Sequence, residues 1–234
     1  MKTLIGIILA GTAAALAPQA LSAAVYDGWH SVRNGNQPVV TGSGRVVRQV
    51  RPVGDFRALE LMGFYDVQLR LGAAPSLVIE ADDNLLPYFT SNVSGGTLRL
   101  GTRGSLRTRS NPKVYLTVTD VNSVLSMGSG NLVVSNVANR RLELVTRGSG
   151  NMRAQGRTGD LTVMVQGSGN ADMRGLNAGR SEVSVMGSGN AWVSTTGALS
   201  ARSFGSGNVY VLGRPSSLQV TQAGSGRVIR PVSR

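Results

Sequence analysis

Glu80, Asp82 and Asp83 form the one acidic cluster in this chain. Paired carboxylates could act as acid and base, or acid and nucleophile, on a glycosidic bond. The tract Asp82-Asp83-Asn84 is equally ordinary turn chemistry, because short polar side chains bond the neighbouring backbone, and no second cluster stands opposite it. His30 is the only histidine. It lies in a loosely patterned N-terminal stretch and would have to fold back to complete a Ser-His-Asp arrangement, so a plain surface role is expected. Gly-Ser-Gly phrases recur, but a phosphate loop needs the N-terminus of a following helix, and strands follow here. The absence of cysteine excludes disulfides and thiolate metal sites. No catalytic, cofactor-binding or metal-ligating residue is assigned.

The recurring phrase is better read as architecture. Gly128-Ser129-Gly130-Asn131 returns at Gly148-Ser149-Gly150-Asn151, Gly167-Ser168-Gly169-Asn170, Gly187-Ser188-Gly189-Asn190 and Gly205-Ser206-Gly207-Asn208, with a variant at Gly224-Ser225-Gly226-Arg227. Self-similarity at about 20 residues signals a solenoid. Four residues before each phrase stand Val124, Leu144, Val163, Val183, Ala201 and Val220. One residue after the asparagines stand Leu132, Met152, Ala171, Ala191 and Val209, and two further on Val134, Ala154, Met173, Val193 and Val211. Side chains alternate across a strand, so these columns define a buried face, with Glu143, Arg147, Arg153, Thr162, Gln166, Asp172, Glu182 and Ser184 facing water. Each period then holds two short strands around a Gly-Ser-Gly-Asn corner. The glycines, Gly169 and Gly189 among them, are expected to supply positive φ, and the asparagines to bond from coil to coil. A parallel solenoid fits better than an antiparallel meander, because stacked identical corners reward regular spacing.

Lys2, the apolar stretch Leu4–Leu16, Pro18 and the small residues up to Ala23 have the layout of a signal peptide over residues 1–23. Export follows, to periplasm, outer envelope or medium, with no later stretch apolar enough to span a membrane as a helix. Residues 24–50 read as an N-terminal extension or cap, and 51–234 as the solenoid domain. The formal charge is +12, carried almost wholly by arginine. Such charge attracts anionic partners, envelope glycans among them, although scattered arginine is also ordinary solubility charge. Sparse aromatics argue against nucleic acid.

Arg51-Pro52-Val53-Gly54-Asp55-Phe56-Arg57-Ala58-Leu59-Glu60 with Gly63-Phe64-Tyr65-Asp66-Val67 resembles the opening of the head GIN domain family. Leu77-Val78-Ile79-Glu80-Ala81-Asp82-Asp83-Asn84-Leu85-Leu86 resembles its next block, and the Gly-Ser-Gly-Asn series with Gly207-Asn208-Val209-Tyr210-Val211-Leu212-Gly213 resembles its repeats and close. The resemblance covers roughly residues 45–230. It implies an all-β, right-handed parallel β-helix in an exported bacterial protein of adhesin-head type. No barrel-forming segment follows the repeats, so display by the chain's own barrel is not expected. Family members often carry Asp at the corner. Asn here supplies no anionic oxygen, which disfavours calcium.

One outward feature breaks the polar pattern. Leu125, Met127, Val145, Met164, Met186 and Phe204 fall in the water-facing register, and stacking would gather them into an apolar stripe. It is either covered within the fold or a self-association or partner surface. The reading is therefore a non-enzymatic, adhesin-like or envelope-binding β-solenoid, with homo-oligomers as candidates. The alternative is a polysaccharide-active β-helix enzyme.

Overall fold

The computed structural model describes residues 38–230. The expected signal peptide, His30 and the first part of the 24–50 segment lie outside the described residues. The N-terminal half contains β1 (Val40–Thr41), β2 (Val46–Arg51), β3 (Ala58–Gly63), β4 (Asp66–Leu71), β5 (Ser76–Asp82), β6 (Phe89–Ser94), β7 (Thr97–Thr102), β8 (Leu106–Arg107) and β9 (Lys113–Val118). The repeats contain β10 (Ser123–Gly128), β11 (Leu132–Gly148), β12 (Met152–Gly167), β13 (Ala171–Gly187), β14 (Ala191–Thr195), β15 (Ala198–Gly205), β16 (Val209–Leu212), β17 (Ser217–Gly224) and β18 (Val228–Ile229).

These strands wind into a β-solenoid of about five turns with coils of about 20 residues. Before the corner, β3, β10, the end of β11, the ends of β12 and β13, then β15 and β17 pair in parallel. After the corner, β4, the starts of β11, β12 and β13, then β14, β16 and β18 do the same. The expectation of two short strands per period needs correction. In the central coils one strand of 16 or 17 residues runs from corner to corner. It turns at register shifts near Asn136, which takes φ 58, and Gly156, at φ 129.

The core is the column of inward side chains. Val124, Leu144, Val163, Val183 and Ala201 are fully buried, as are Leu132, Met152, Ala171, Ala191 and Val209 from the facing sheet. The outward column has one exception, because Ser184 is buried.

The corners use glycine in two different ways. Gly128, Gly167, Gly187 and Gly205 have φ between +133 and +146, where a Cβ is strained. Gly169 and Gly189 do not, contrary to the expectation. Their constraint is close approach. A Cβ on Gly169 would stand 3.1 Å from the carbonyl carbon of Gly150 and nearer still to its oxygen. The backbones of successive corners touch, leaving no room for a side chain.

The end nearest the N-terminus is built differently. The corner Gly63-Phe64-Tyr65-Asp66 lies in register with Gly128-Ser129-Gly130-Asn131, because β3 and β4 pair with β10 and β11. Residues 76–118 add flanking strands beyond this coil. β9 lies parallel to β4, and β5 and then β2 follow antiparallel. β7 lies parallel to β3, with β6 antiparallel beside it. β8 pairs in parallel with β1.

Candidate binding face

The asparagine corners form one continuous ladder. Asn151 donates its backbone N–H (3.2 Å) and its Nδ2 (3.1 Å) to Oδ1 of Asn131. Asn170 repeats both bonds to Asn151, Asn190 to Asn170, and Asn208 to Asn190. The backbone N–H of Arg227 closes the series on Asn208. All side-chain amides thus point their N–H groups towards the same end. There the partner is Asp66, whose Oδ1 accepts from Asn131 N (2.9 Å) and Nδ2 (3.0 Å), while Oδ2 accepts from Asn111. Burial works to raise the pKa of Asp66. The donors from Asn131 and Asn111 and the charge of Lys113 outweigh it and hold the carboxyl below its ordinary value.

Two residues beyond each asparagine, the outward row reads Val133, Arg153, Asp172, Trp192 and Tyr210, one per coil and in direct register. Asp172 is the electrostatic centre. Arg174 reaches it through Nε and Nη2, both at 2.8 Å, and Arg153 through Nη2 at 2.7 Å. The guanidinium of Arg174 foremost, then that of Arg153, holds the Asp172 carboxyl far below the usual range against the opposing effect of burial. Arg174 also lies over the Trp192 ring, 5.8 Å from its centroid. Tyr210 from the next coil stacks on that ring at 5.1 Å with planes 5° apart. Between this row and the asparagines runs an open groove of about 370 Å³, lined by Asn131, Asn151, Asn170, Val133, Arg153, Asp172 and Trp192 among others.

The acidic cluster has other partners. Asp82 is buried and accepts the backbone N–H groups of Gly44 and Arg109, both at 3.1 Å. Asp83 accepts from Ser43 and Arg45, and Glu80 from Arg48 at 2.6 Å. These carboxylates tie the first strands to β5. Among the described residues, no three His, Cys, Asp or Glu side chains gather as a metal site.

The apolar register is only partly continuous. Leu125, Val145 and Met164 are direct neighbours on successive coils, as are Met186 and Phe204. Arg147 and Gln166 stand between Met127 and Met186 in the other row, and Ser184 and Arg202 follow Met164. Val145 is buried by its neighbours, while Phe204 is 39% exposed. The stripe is thus two short apolar runs in a mixed face. The Arg153–Asp172–Trp192–Tyr210 row was missed because these residues differ in type. Aligning the repeats at the second position after Asn brings them into one file.

The same fold occurs in solved proteins of low sequence identity. A protein of Bacteroides fragilis NCTC 9343 described as "a putative adhesin" matches with TM-score 0.67 and 18% identity, over 81% of this chain and 98% of its own. One from Parabacteroides distasonis ATCC 8503, described as a "putative lipid binding protein", matches with TM-score 0.57 and 20% identity, over 82% and 100%. A third, "a putative adhesin" of Parabacteroides merdae ATCC 43184, gives TM-score 0.52 and 19% identity, over 82% and 99%. No curated protein matches the sequence. Residues 55–215 match the family described as "Putative auto-transporter adhesin, head GIN domain", and the chain belongs to that family.

Proposed function

We propose that this protein is an exported, non-enzymatic, adhesin-like binding protein that presents a long β face to a component of the bacterial envelope or of an opposing surface. The observation that carries this reading is the continuity of the face on which the asparagine ladder runs beside the Arg153–Asp172–Trp192–Tyr210 file. A rigid, periodic surface suits an extended partner better than a small substrate, and the adhesin and lipid-binding descriptions of similar folds agree with a surface role. A polysaccharide-cleaving enzyme needs two carboxylates free to exchange protons across a cleft. Asp172, the carboxylate lining this groove, has both oxygens engaged by arginines. Export to the periplasm or the outer surface belongs to the same reading.

The test is retention of labelled protein on isolated envelope fractions and on glycan arrays. Trp192→Ser on this face should reduce retention, while Arg157→Gln, exposed on another part of the coil, should leave it unchanged. Retention unaltered by Trp192→Ser would remove the face from consideration, and release of shortened glycans would restore the enzymatic reading.

A further inference from the structure

Resting on the face just assigned, we infer that the groove beside the asparagine ladder takes a linear acidic polysaccharide, with its carboxylates read by Arg153 and by the spare N–H groups of the ladder. The argument is one of hydrogen-bond inventory. The Oδ1 atoms of Asn131, Asn151, Asn170 and Asn190 each already receive two donors, which fills their two acceptor positions. Both oxygens of Asp172 are likewise taken. The donors are not used up. Each Nδ2 has two protons and spends one, Arg153 and Arg174 each keep Nη1 free, and the Trp192 indole N–H has no partner among the described residues. A groove wall with free donors and filled acceptors selects a ligand rich in acceptor oxygens.

Charge and pitch narrow that class. Two guanidinium groups share one carboxylate, so the middle of the groove carries a net positive charge. Stacked strands repeat every ~4.8 Å, so donors recur at that interval along the axis. This is close to the advance of one pyranose unit in an extended glycan, and successive sugars would meet successive coils. The groove spans the coils of Asn131, Asn151 and Asn170, enough for a short run of sugars. Nucleic acid fits less well. The Trp192 ring is already stacked by Tyr210 and covered by Arg174, so it offers no free platform for a base.

Calorimetric titration of the full chain with polygalacturonate oligomers and with their methyl-esterified counterparts, at low and physiological salt, tests the assignment. The acid form is expected to bind roughly tenfold or more tightly than the ester, the value of one charge-assisted hydrogen bond. Arg153→Gln should lower affinity for the acid form by a similar factor. Asn151→Asp, which puts a negative charge where a donor stood, should lower it too, and Arg157→Gln should not. Thermal melts of each variant show whether the coil is intact, and Arg153, an exposed side chain, carries the test if Asn151→Asp unfolds. Equal binding of acid and ester overturns the assignment. So does an equal loss in Arg153→Gln and Arg157→Gln, which would mark diffuse charge, and so does single-stranded DNA binding as tightly as the glycan. If the polymers fail to bind while Trp192→Ser still abolishes envelope retention, the ligand class falls and the face stands. If Trp192→Ser leaves retention intact, the face falls with it.

Discussion

Replacing Gly169 with alanine separates two costs that corner glycines usually confound. At Gly169 the backbone does not occupy the left-handed region, so alanine meets no φ penalty there. The added methyl would instead lie 3.1 Å from the carbonyl carbon of Gly150, 3.3 Å from that of Ser149, and closer still to the Gly150 oxygen. Carbon prefers about 3.5 Å or more from such neighbours, so the two coils must part at this corner. Overpacking of this kind costs about 1–3 kcal/mol. The same junction is held by Ser168 N–H and Gly169 N–H on the carbonyl of Gly148, at 3.1 and 3.0 Å. Stretching both forfeits about 1 kcal/mol each, which brings the expected loss to roughly 3–5 kcal/mol. Gly95 is the control. It sits at φ +57 with nothing within 4 Å of the position a Cβ would take, so Gly95→Ala carries the conformational cost alone, about 1–2 kcal/mol. Urea unfolding followed by circular dichroism gives both values. Amide exchange at Asn170 and Asn190 shows whether the damage is centred on the junction, as nearest-neighbour coupling in a solenoid requires. A Gly169→Ala loss no larger than that of Gly95→Ala would refute the close-approach account.

Asn170→Ala removes its Nδ2 bond to Asn151 and strips the N–H and Nδ2 of Asn190 of their acceptor. The expected cost is about 2 kcal/mol, more than a single hydrogen bond, read as a shift of the urea midpoint. Acidification should destabilise the fold through Asp66 and Asp172. Both have depressed folded pKa values, so their contribution is complete above the unfolded value of about 3.9 and is lost as pH falls through the folded values. Melting temperatures measured from pH 6 to pH 2 should drop below about pH 4, and less steeply in Asp172→Asn. If Met186 and Phe204 form a self-association surface, sedimentation velocity should show concentration-dependent assembly that Phe204→Asp abolishes. A wild type that sediments as a monomer at every concentration removes that interface.

The periodic half of the molecule was legible because its physics is local and repeated. The columns at Val124 and Leu132 and their equivalents recur every 20 residues or so, and they are buried as their alternation requires, except Val220 on the last coil, which is exposed contrary to the expectation. The first coil was harder to see. Its corner is Gly63-Phe64-Tyr65-Asp66, without the repeated phrase, and its neighbour β10 begins 65 residues after β3. The intervening strands β5 to β9 break the period. Asp66 therefore stands outside the repeated phrase, although it terminates the ladder. The groove was hidden for the opposite reason. Arg153, Asp172 and Trp192 occupy equivalent positions but differ in chemistry, so only the coil register makes them neighbours.

The one-way asparagine ladder makes the length of this protein adjustable. Each interior amide takes from one side what it gives to the other, so a coil inserted between Asn151 and Asn190 would find the same donors and acceptors as the coils already there. Only the ends are unique, with Asp66 accepting at one and the Arg227 backbone donating at the other. Duplication or loss of a whole repeat then changes reach in steps of ~4.8 Å without creating a mismatched junction. The chain is a ruler that can gain or lose graduations while keeping both of its finished ends.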